Sequence, residues 1–560
     1  MGKSRLTGYV DMGIFFCVAG ILVLVPLTFW MGAYLPFELP KIFIFRLLLY
    51  LSALLVVLKF LWGSGIEVPG VFRRKEVWLS LVILCLIVGI SSFSSDSFLM
   101  SVLGSYHRHQ GLFSFAHYLL FFGVLSFGLN RERMKRALLF GVASFVVVLI
   151  YGLFQKAGMY FVNINVDEFL GRTFSTLGHP NFFGSYIVLM FFPVLGLCLN
   201  NRKRLALALG AIVLILALIN LYFSGGRAAV VGLIAGLVIF VYSLSDLKKR
   251  FPFKKYVVAA MAVFILWISL FGRFSLNEEN LRSVKTRMIM WPQVIEMVED
   301  KPFFGYGPDT FPVAFAPYMN RDLLDVEKFN FIPDRAHNIF LQTFSDFGFL
   351  GGGLIVLMFM YWWSRAYFKL GDNILGKSLL ASLFALGVSH FFGFSTTTHI
   401  VLITFFWAFI FKDLAGGGSV VKPRMGGVLK GLVFSLVVAF IGVFCLPNIL
   451  VSSVYSDNEG FARLMSARNY AHESYSDFSY FDLAEAEFEE ASKLMPLYPP
   501  VYFHMGRFYF NHDMYPQAIS ALEYYVSLAP LDFETEKYDK INSDYKTALE
   551  WLAEAYKKTQ

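Results

Sequence analysis

Charged residues make up only 16% of this 560-residue chain, against 57% hydrophobic and 18% aromatic residues. So little charge cannot clothe a water-soluble surface of this size, which excludes a soluble globular protein for most of the length and makes the bilayer its solvent. Cysteine is scarce too: Cys17, Cys85, Cys198 and Cys445 lie far apart, each inside or at the edge of an apolar run. That spacing supports neither a zinc site nor a disulfide framework, and packing is the expected role. There is no phosphate-binding Walker loop, no His-Glu-x-x-His helix, no nucleophile elbow and no aspartate pair of the kind that holds a metal-bound nucleotide sugar. The net charge of +8 does not imply nucleic acid, because the basic residues sit in short segments between apolar runs. No small-residue cleavage site follows the first apolar run, which is expected to stay as a helix.

Long apolar runs are what the chain does have. They fall near 9–30, 42–62, 77–95, 111–129, 137–155, 182–199, 204–223, 227–244, 256–272, 346–364, 378–395, 398–412 and 428–450. The expectation is an all-α polytopic membrane domain over 1–452 with 12 to 13 spans. Alternate connections carry the Lys and Arg: Arg73-Arg74-Lys75, "RERMKR" (131–136), "NRKR" (201–204), "KKRFPFKK" (248–255), Lys377 and "KPRMGGVLK" (422–430). These belong on the cytoplasmic side, with the N-terminus, and the C-terminus is expected outside. Few titratable groups lie within the spans, Arg46 and Lys59 being the main exceptions.

The opposite set of connections nevertheless repeats Arg and His at helix mouths. "GSYHRHQG" holds His107, Arg108 and His109; "VNINVDEFLGRTFSTLGHPN" holds Arg172 and His179; "SGGRAAVVG" holds Arg227. The long connection of about 273–345 holds Arg282, Lys285, Arg287 and "PDRAHN", with Asp334, Arg335, His337 and Asn338. A guanidinium offers two parallel charge-assisted hydrogen bonds and keeps its proton, so several on one face suit a diphosphate. Asp334 is the expected cap of a helix that would hold His337 near its N-terminus, where imidazolium is disfavoured and a neutral base can form. "TRMIMWPQVIEMVED" (286–300) is expected to be an amphipathic helix on the membrane surface, with Met288, Trp291, Ile295 and Val298 on one stripe. Gly305 and Gly307 in "KPFFGYGPDTF" read as a tight turn. His107 and His109 lack an evident third metal ligand, and no metal or other cofactor is expected.

From about 455 the chain turns polar and shows a period of 34: Tyr475 and Tyr509, Ala484 and Ala518, Pro496 and Pro530. With Gly506, this is the spacing of tetratricopeptide helix–turn–helix units over 455–560, expected outside the cytosol as a module for a protein partner, or as a lid.

Five blocks, "GSYHRHQG", "STLGHPNFFGSY", "SGGRAAVVG", "TRMIMWPQVIEMVEDKPFFGYGPDTF" and "DRAHNIFLQTFSDFGFLGG", occur in this order between about 90 and 410. Together they resemble the O-antigen ligase and polymerase superfamily of membrane glycosyltransferases. The resemblance implies a C-type glycosyltransferase (GT-C) that takes a glycan from an undecaprenyl-diphosphate carrier to a lipid, protein or glycan acceptor outside the cytoplasmic membrane. It implies that His337 activates the acceptor hydroxyl and that Arg227 and Arg287 engage the diphosphate, with Arg335 and Arg108 as further candidates. Asp334, Asn338, Arg172 and His179 would support them. The family's usual Ser-Arg pair is here Ser224-Gly-Gly-Arg227, which makes Arg227 the looser match. The expected chemistry is metal-independent, inverting transfer to an acceptor, with glycan polymerisation and protein O-glycosylation as variants of it. A transporter of a lipid-linked glycan or other anion is the rival class, and would place its charges at mid-helix in two related halves. A scaffold without enzymatic activity is a third reading; it leaves the Arg/His set unexplained.

Overall fold

The structure is a computed structural model; it describes residues 2–31, 35–61, 66–105, 108–160, 171–201, 203–244, 278–315, 318, 321–326, 333–414, 419–421, 456–494, 499–527 and 543–559. Among these residues nine helices are long and apolar enough to cross a membrane, and two apolar helices are shorter. We label α1 Gly2–Leu27, α2 Leu39–Leu61, α3 Lys75–Phe93, α4 Leu112–Gly128, α5 Arg131–Lys156, α6 Pro180–Asn200, α7 Arg204–Ser224 and α8 Arg227–Ser243. The amphipathic α9 spans Glu278–Asp300, and α10 Ile339–Lys369, α11 Ile374–Ser389 and α12 Thr397–Leu414 follow. The runs expected at 256–272 and 428–450, with Cys445 and His107, lie outside the described residues. The fold is all-α apart from a short antiparallel ladder that pairs Ile66–Val68 with Ser419–Val421.

Helices α6, α11 and α12 form the centre. Their most apolar windows are 78%, 78% (the α11 window runs on to Phe392) and 67% buried, whereas those of α3 and α7 are 28% and 22% buried and leave apolar side chains for lipid. Lipid tails are as apolar as leucine, so helix contact here rests on close packing. A Cβ on Gly232 of α8 would come within 2.4 Å of the Ala385 carbonyl of α11. The charged groups within the first two spans are paired: Arg46 donates to Ser114 Oγ at 2.9 Å, and Lys59 lies 2.7 Å from Asp11. At the same end of the bundle as Asp11, Arg133 pairs with that Asp, and Arg131 pairs with Asp413.

The element that positions the site is the break in α10. Gly348 stands at φ 71°, ψ 172°, so a short helix, Ile339–Phe347, ends there and a new one begins. An interrupted ladder leaves backbone groups without partners, which is costly in apolar surroundings. The segment 302–307 supplies them. Tyr306 and Gly307 N–H donate to the Ser345 and Asp346 carbonyls at 3.0 Å each. Leu350 and Gly351 N–H donate in turn to Pro302 and Phe303 at 3.1 and 3.2 Å. The expected turn at Gly305 and Gly307 is therefore a splice into a helix: a Cβ on Gly305 would meet the Ser345 carbonyl at 2.5 Å.

Two expectations need correction. The stripe expected to be one face of α9 is split: Met288 and Ile295 are exposed, and Met290, Val294, Met297 and Val298 are buried against Phe311, Phe315 and Ala336. Apolar residues lie on both sides of the helix, so periodicity could not tell the stripe that meets protein. Asp334 caps no helix: α10 begins at Ile339, where Asn338 Oδ1 accepts from Phe340 and Leu341 N–H at 2.9 and 3.2 Å.

Beyond residue 455, α13 (Ser456–Ser474), α14 (Phe481–Leu494), α15 (Pro499–Asn511), α16 (Tyr515–Ser527) and α17 (Ser543–Thr559) bury their own apolar clusters. Gly506 of α15 packs on Leu522 of α16 where a Cβ would not fit. At the α10 break, Gly348→Ala is expected to destabilise the chain by roughly 1–3 kcal/mol through its positive φ. A lowered melting temperature of the detergent-solubilised protein checks this; an unchanged one would show that the break tolerates a side chain.

Candidate active site

Among the described residues, four of the five non-glycine residues with positive φ, His109, Ser175, Asp309 and His337, lie in connections between membrane helices on the same side as the mouths of α4, α6 and α10. Left-handed backbone on such residues is strained and persists where the surroundings impose it. Asp309, at φ 64°, is fully buried. One of its oxygens accepts from Ser105 and Gln110 N–H at 2.7 and 2.8 Å, and the other from Arg335 at 2.5 Å. It thereby ties the loop before α4 to the loop before α10. Arg335 is itself 7% exposed. Burial alone would lower its pKa, but Asp309, Asp346, Asp334 and Glu38 outweigh that and raise it.

Arg108 stands on that tied loop and binds Asp334, with Nε 2.6 Å from Oδ2. Its guanidinium lies between two rings, 4.7 Å from the centroid of Phe394 and 5.6 Å from that of Phe182. Burial would raise the Asp334 pKa, but the charges of Arg108, His337 and Arg335 prevail and hold it at about 2. His337, at φ 50°, lies against Phe394 with ring centroids 5.4 Å apart. Burial depresses its pKa most, Asp334 opposes, and Arg287, Arg108 and Arg335 depress it further, to about 4. The imidazole is neutral at physiological pH, with its ring in reach of those charges.

His179 precedes α6 and its Nδ1 accepts from Asn181 N–H at 3.1 Å. Burial first, then Arg172, His337 and Arg108, bring its pKa down to about 3. Arg172 donates to the Ser224 carbonyl at 2.8 Å and to Asn181 Oδ1 at 2.7 Å, so it braces the Ser224-Gly-Gly-Arg227 elbow against the start of α6. On α9, Arg287 donates to Ser283 Oγ at 2.8 Å and to its carbonyl at 3.1 Å, while its Nε is buried without a hydrogen-bond partner among the described residues. Burial and then the charge of Arg227 lower the Arg287 pKa. Arg108, Arg172, Asp334, Arg335, His337, His179, Arg287 and Arg227 thus form one linked electrostatic cluster. Arg282 and Lys285 are exposed on α9.

Sequence reasoning missed Asp309, Glu38 and Phe394. Glu38, just before α2, accepts from Thr397 N–H and Oγ1 at 2.8 and 2.5 Å. Asp309 stands in the quoted "GPDTF", where its acid side chain was the available signal; Phe394 carries none in a chain with 63 phenylalanines. Among the described residues no group of three or more His, Cys, Asp or Glu is arranged to hold a metal.

Residues 212–356, which run from α7 through the break in α10, match the family model described as O-antigen ligase. This segment resembles an O-antigen ligase domain. It includes Arg227, Arg287, Asp334, Arg335 and His337. The chain is also similar to the general O-oligosaccharyltransferase of Acinetobacter baylyi, 23% identical over 289 residues, covering 46% of this chain and 49% of the relative. The chain thus spans about half the length of that curated relative.

Removing the Asp334 carboxylate by Asp334→Asn takes away the one group of the cluster that raises the His337 pKa. The imidazole is expected to titrate still lower, read by NMR of ring-labelled histidine; an upward shift would contradict this arrangement of charges.

Proposed function

We propose that this protein transfers a glycan from an undecaprenyl-diphosphate carrier to an acceptor hydroxyl, with His337 as the base and Arg287 and Arg227 holding the diphosphate. The match to the O-antigen ligase family and the O-oligosaccharyltransferase relative support glycan transfer of the O-antigen ligase kind. The observation that carries the mechanism is a neutral imidazole under the influence of an arginine whose buried Nε lacks a partner among the described residues. Buried donors without a partner are unusual in native proteins and fit a ligand's oxygen.

In this reading the acceptor oxygen gives its proton to His337 and attacks the anomeric carbon. The bond from that carbon to the carrier phosphate breaks, and its electron pair leaves with the diphosphate. The guanidinium groups of Arg287 and Arg227 neutralise the growing charge, so the leaving group needs no proton. Asp334 faces the imidazolium that forms. Arg335, bound to Asp309, and Arg108, bound to Asp334, shape the pocket. The stereochemical outcome is inversion, since a single displacement is involved.

The placement that suits this chemistry is the cytoplasmic membrane, multi-pass, with the His337 end facing away from the cytosol. Arg131, Arg133 and Lys412 at the other end of the bundle support that orientation. The helices from Ser456 to Thr559 then form a tetratricopeptide-like module outside the cytosol, suited to a protein partner.

The test supplies purified protein with undecaprenyl-diphosphate glycan and separate lipid, protein and glycan acceptors, with products weighed by mass spectrometry. His337→Ala is expected to lower transfer by about 10²–10⁴-fold with the fold intact; near-normal product would remove it from the mechanism. Arg287→Lys keeps the charge and loses the two-pronged geometry, so the donor KM should rise about tenfold. An unchanged dependence of rate on carrier concentration would count against the diphosphate role.

A further inference from the structure

The residue before His337 is held on both sides by side chains from different elements. Ala336 N–H donates to Gln342 Oε1 at 2.9 Å, and Ala336 C=O accepts from Trp291 Nε1 at 3.0 Å. Ala336 is fully buried, and His337 next to it takes the left-handed φ of 50°. A free chain would leave that conformation, because a Cβ disfavours it. Neither holding group is itself loose. Gln342 Nε2 donates to Asp346 Oδ1 at 2.8 Å, and the Asp346 carbonyl accepts from Ser91 Oγ at 2.6 Å and from Gly307 N–H at the α10 break. The Trp291 indole packs on Phe391 and Phe392, with ring centroids 5.9 and 6.0 Å away.

We infer that Trp291 and Gln342 are positioning residues for His337, fixing the two peptides around Ala336 so that the imidazole stays in the left-handed turn facing the arginine cluster. Trp291 stands one turn after Arg287 on α9. The same helix therefore sets both the diphosphate-binding guanidinium and, through Ala336, the base. A shift of α9 would move the two together, keeping their separation matched to one substrate. The inference rests on the proposed role of His337 and adds the residues that hold it.

The experiment uses the full chain in liposomes, with the carrier-linked glycan and the acceptor found in the assay above. Trp291→Phe keeps the ring against Phe391 and Phe392 and removes only the N–H. Gln342→Met keeps the length and removes both hydrogen bonds; should Trp291→Phe lose its fold, Gln342→Met carries the test. Each variant is expected to lower kcat about tenfold, the equivalent of ~1.4 kcal/mol. The donor KM should stay within about twofold, since binding is not the property lost. The acidic limb of kcat should rise from about 4 toward the ~6.5 of a free imidazole, because a loosened His337 leaves the cluster. Unchanged kcat in a folded variant, a loss carried wholly by donor KM, or a lower kcat with the acidic limb unmoved would each overturn the inference. His337→Ala separates the two readings: if it keeps the normal rate, the base assignment itself fails. If it is inactive while both variants keep full kcat, only the positioning role fails.

Discussion

A helix that breaks inside apolar surroundings must hand its exposed backbone groups to some other segment, and the rest of the site depends on how α10 meets that demand. At Gly348 the hydrogen bonds are exchanged with residues 302–307 rather than lost. The exchange fixes the short helix Ile339–Phe347 as a stub, and the loop carrying His337 is anchored at its start. It also fixes the connection that runs on to Asp309, whose carboxylate gathers the Arg108 loop and Arg335. One local irregularity thus places an imidazole, a buried ion pair and a guanidinium within the same electrostatic field.

Charge in this field is distributed unevenly. Arg108 and Arg335 are each bound to a carboxylate, so their positive charge is largely spoken for within the protein. Arg287 is held by a serine hydroxyl and a carbonyl, groups that orient a guanidinium without neutralising it. Uncompensated charge is costly where water is scarce, and it is retained where something anionic is to be met. The two kinds of arginine look alike in a sequence. Only their partners separate the arginines bound to a carboxylate from the one held by a hydroxyl and a carbonyl.

The membrane helices were legible because a run of apolar residues is a local property, and the spans named from hydropathy coincide with helices wherever residues are described. The family blocks were legible because unusual residues recur in fixed order, and the matched segment 212–356 contains three of the five. The helix start after "PDRAHN" was misread for a long-range reason: Asp334 is occupied by Arg108, 226 positions earlier, which leaves Asn338 to cap α10. The stripe on α9 was misread because apolarity does not say whether protein or lipid lies opposite. Trp291 was noticed only as part of that stripe, since nothing nearby in sequence announces that its N–H is destined for Ala336.

Glu38 and Thr397 join the first and last parts of the membrane bundle among the described residues, across 359 positions. A chain inserted from its N-terminus therefore carries every arginine of the cluster before Phe394 and Thr397 follow. Until α12 enters, the Glu38 carboxylate lacks the N–H and hydroxyl that Thr397 donates to it. Completion of the bundle is thus also completion of the cluster: a chain truncated before Phe394 would contain His337 and all the arginines, yet neither the ring that packs on His337 and Arg108 nor the hydroxyl that Glu38 binds.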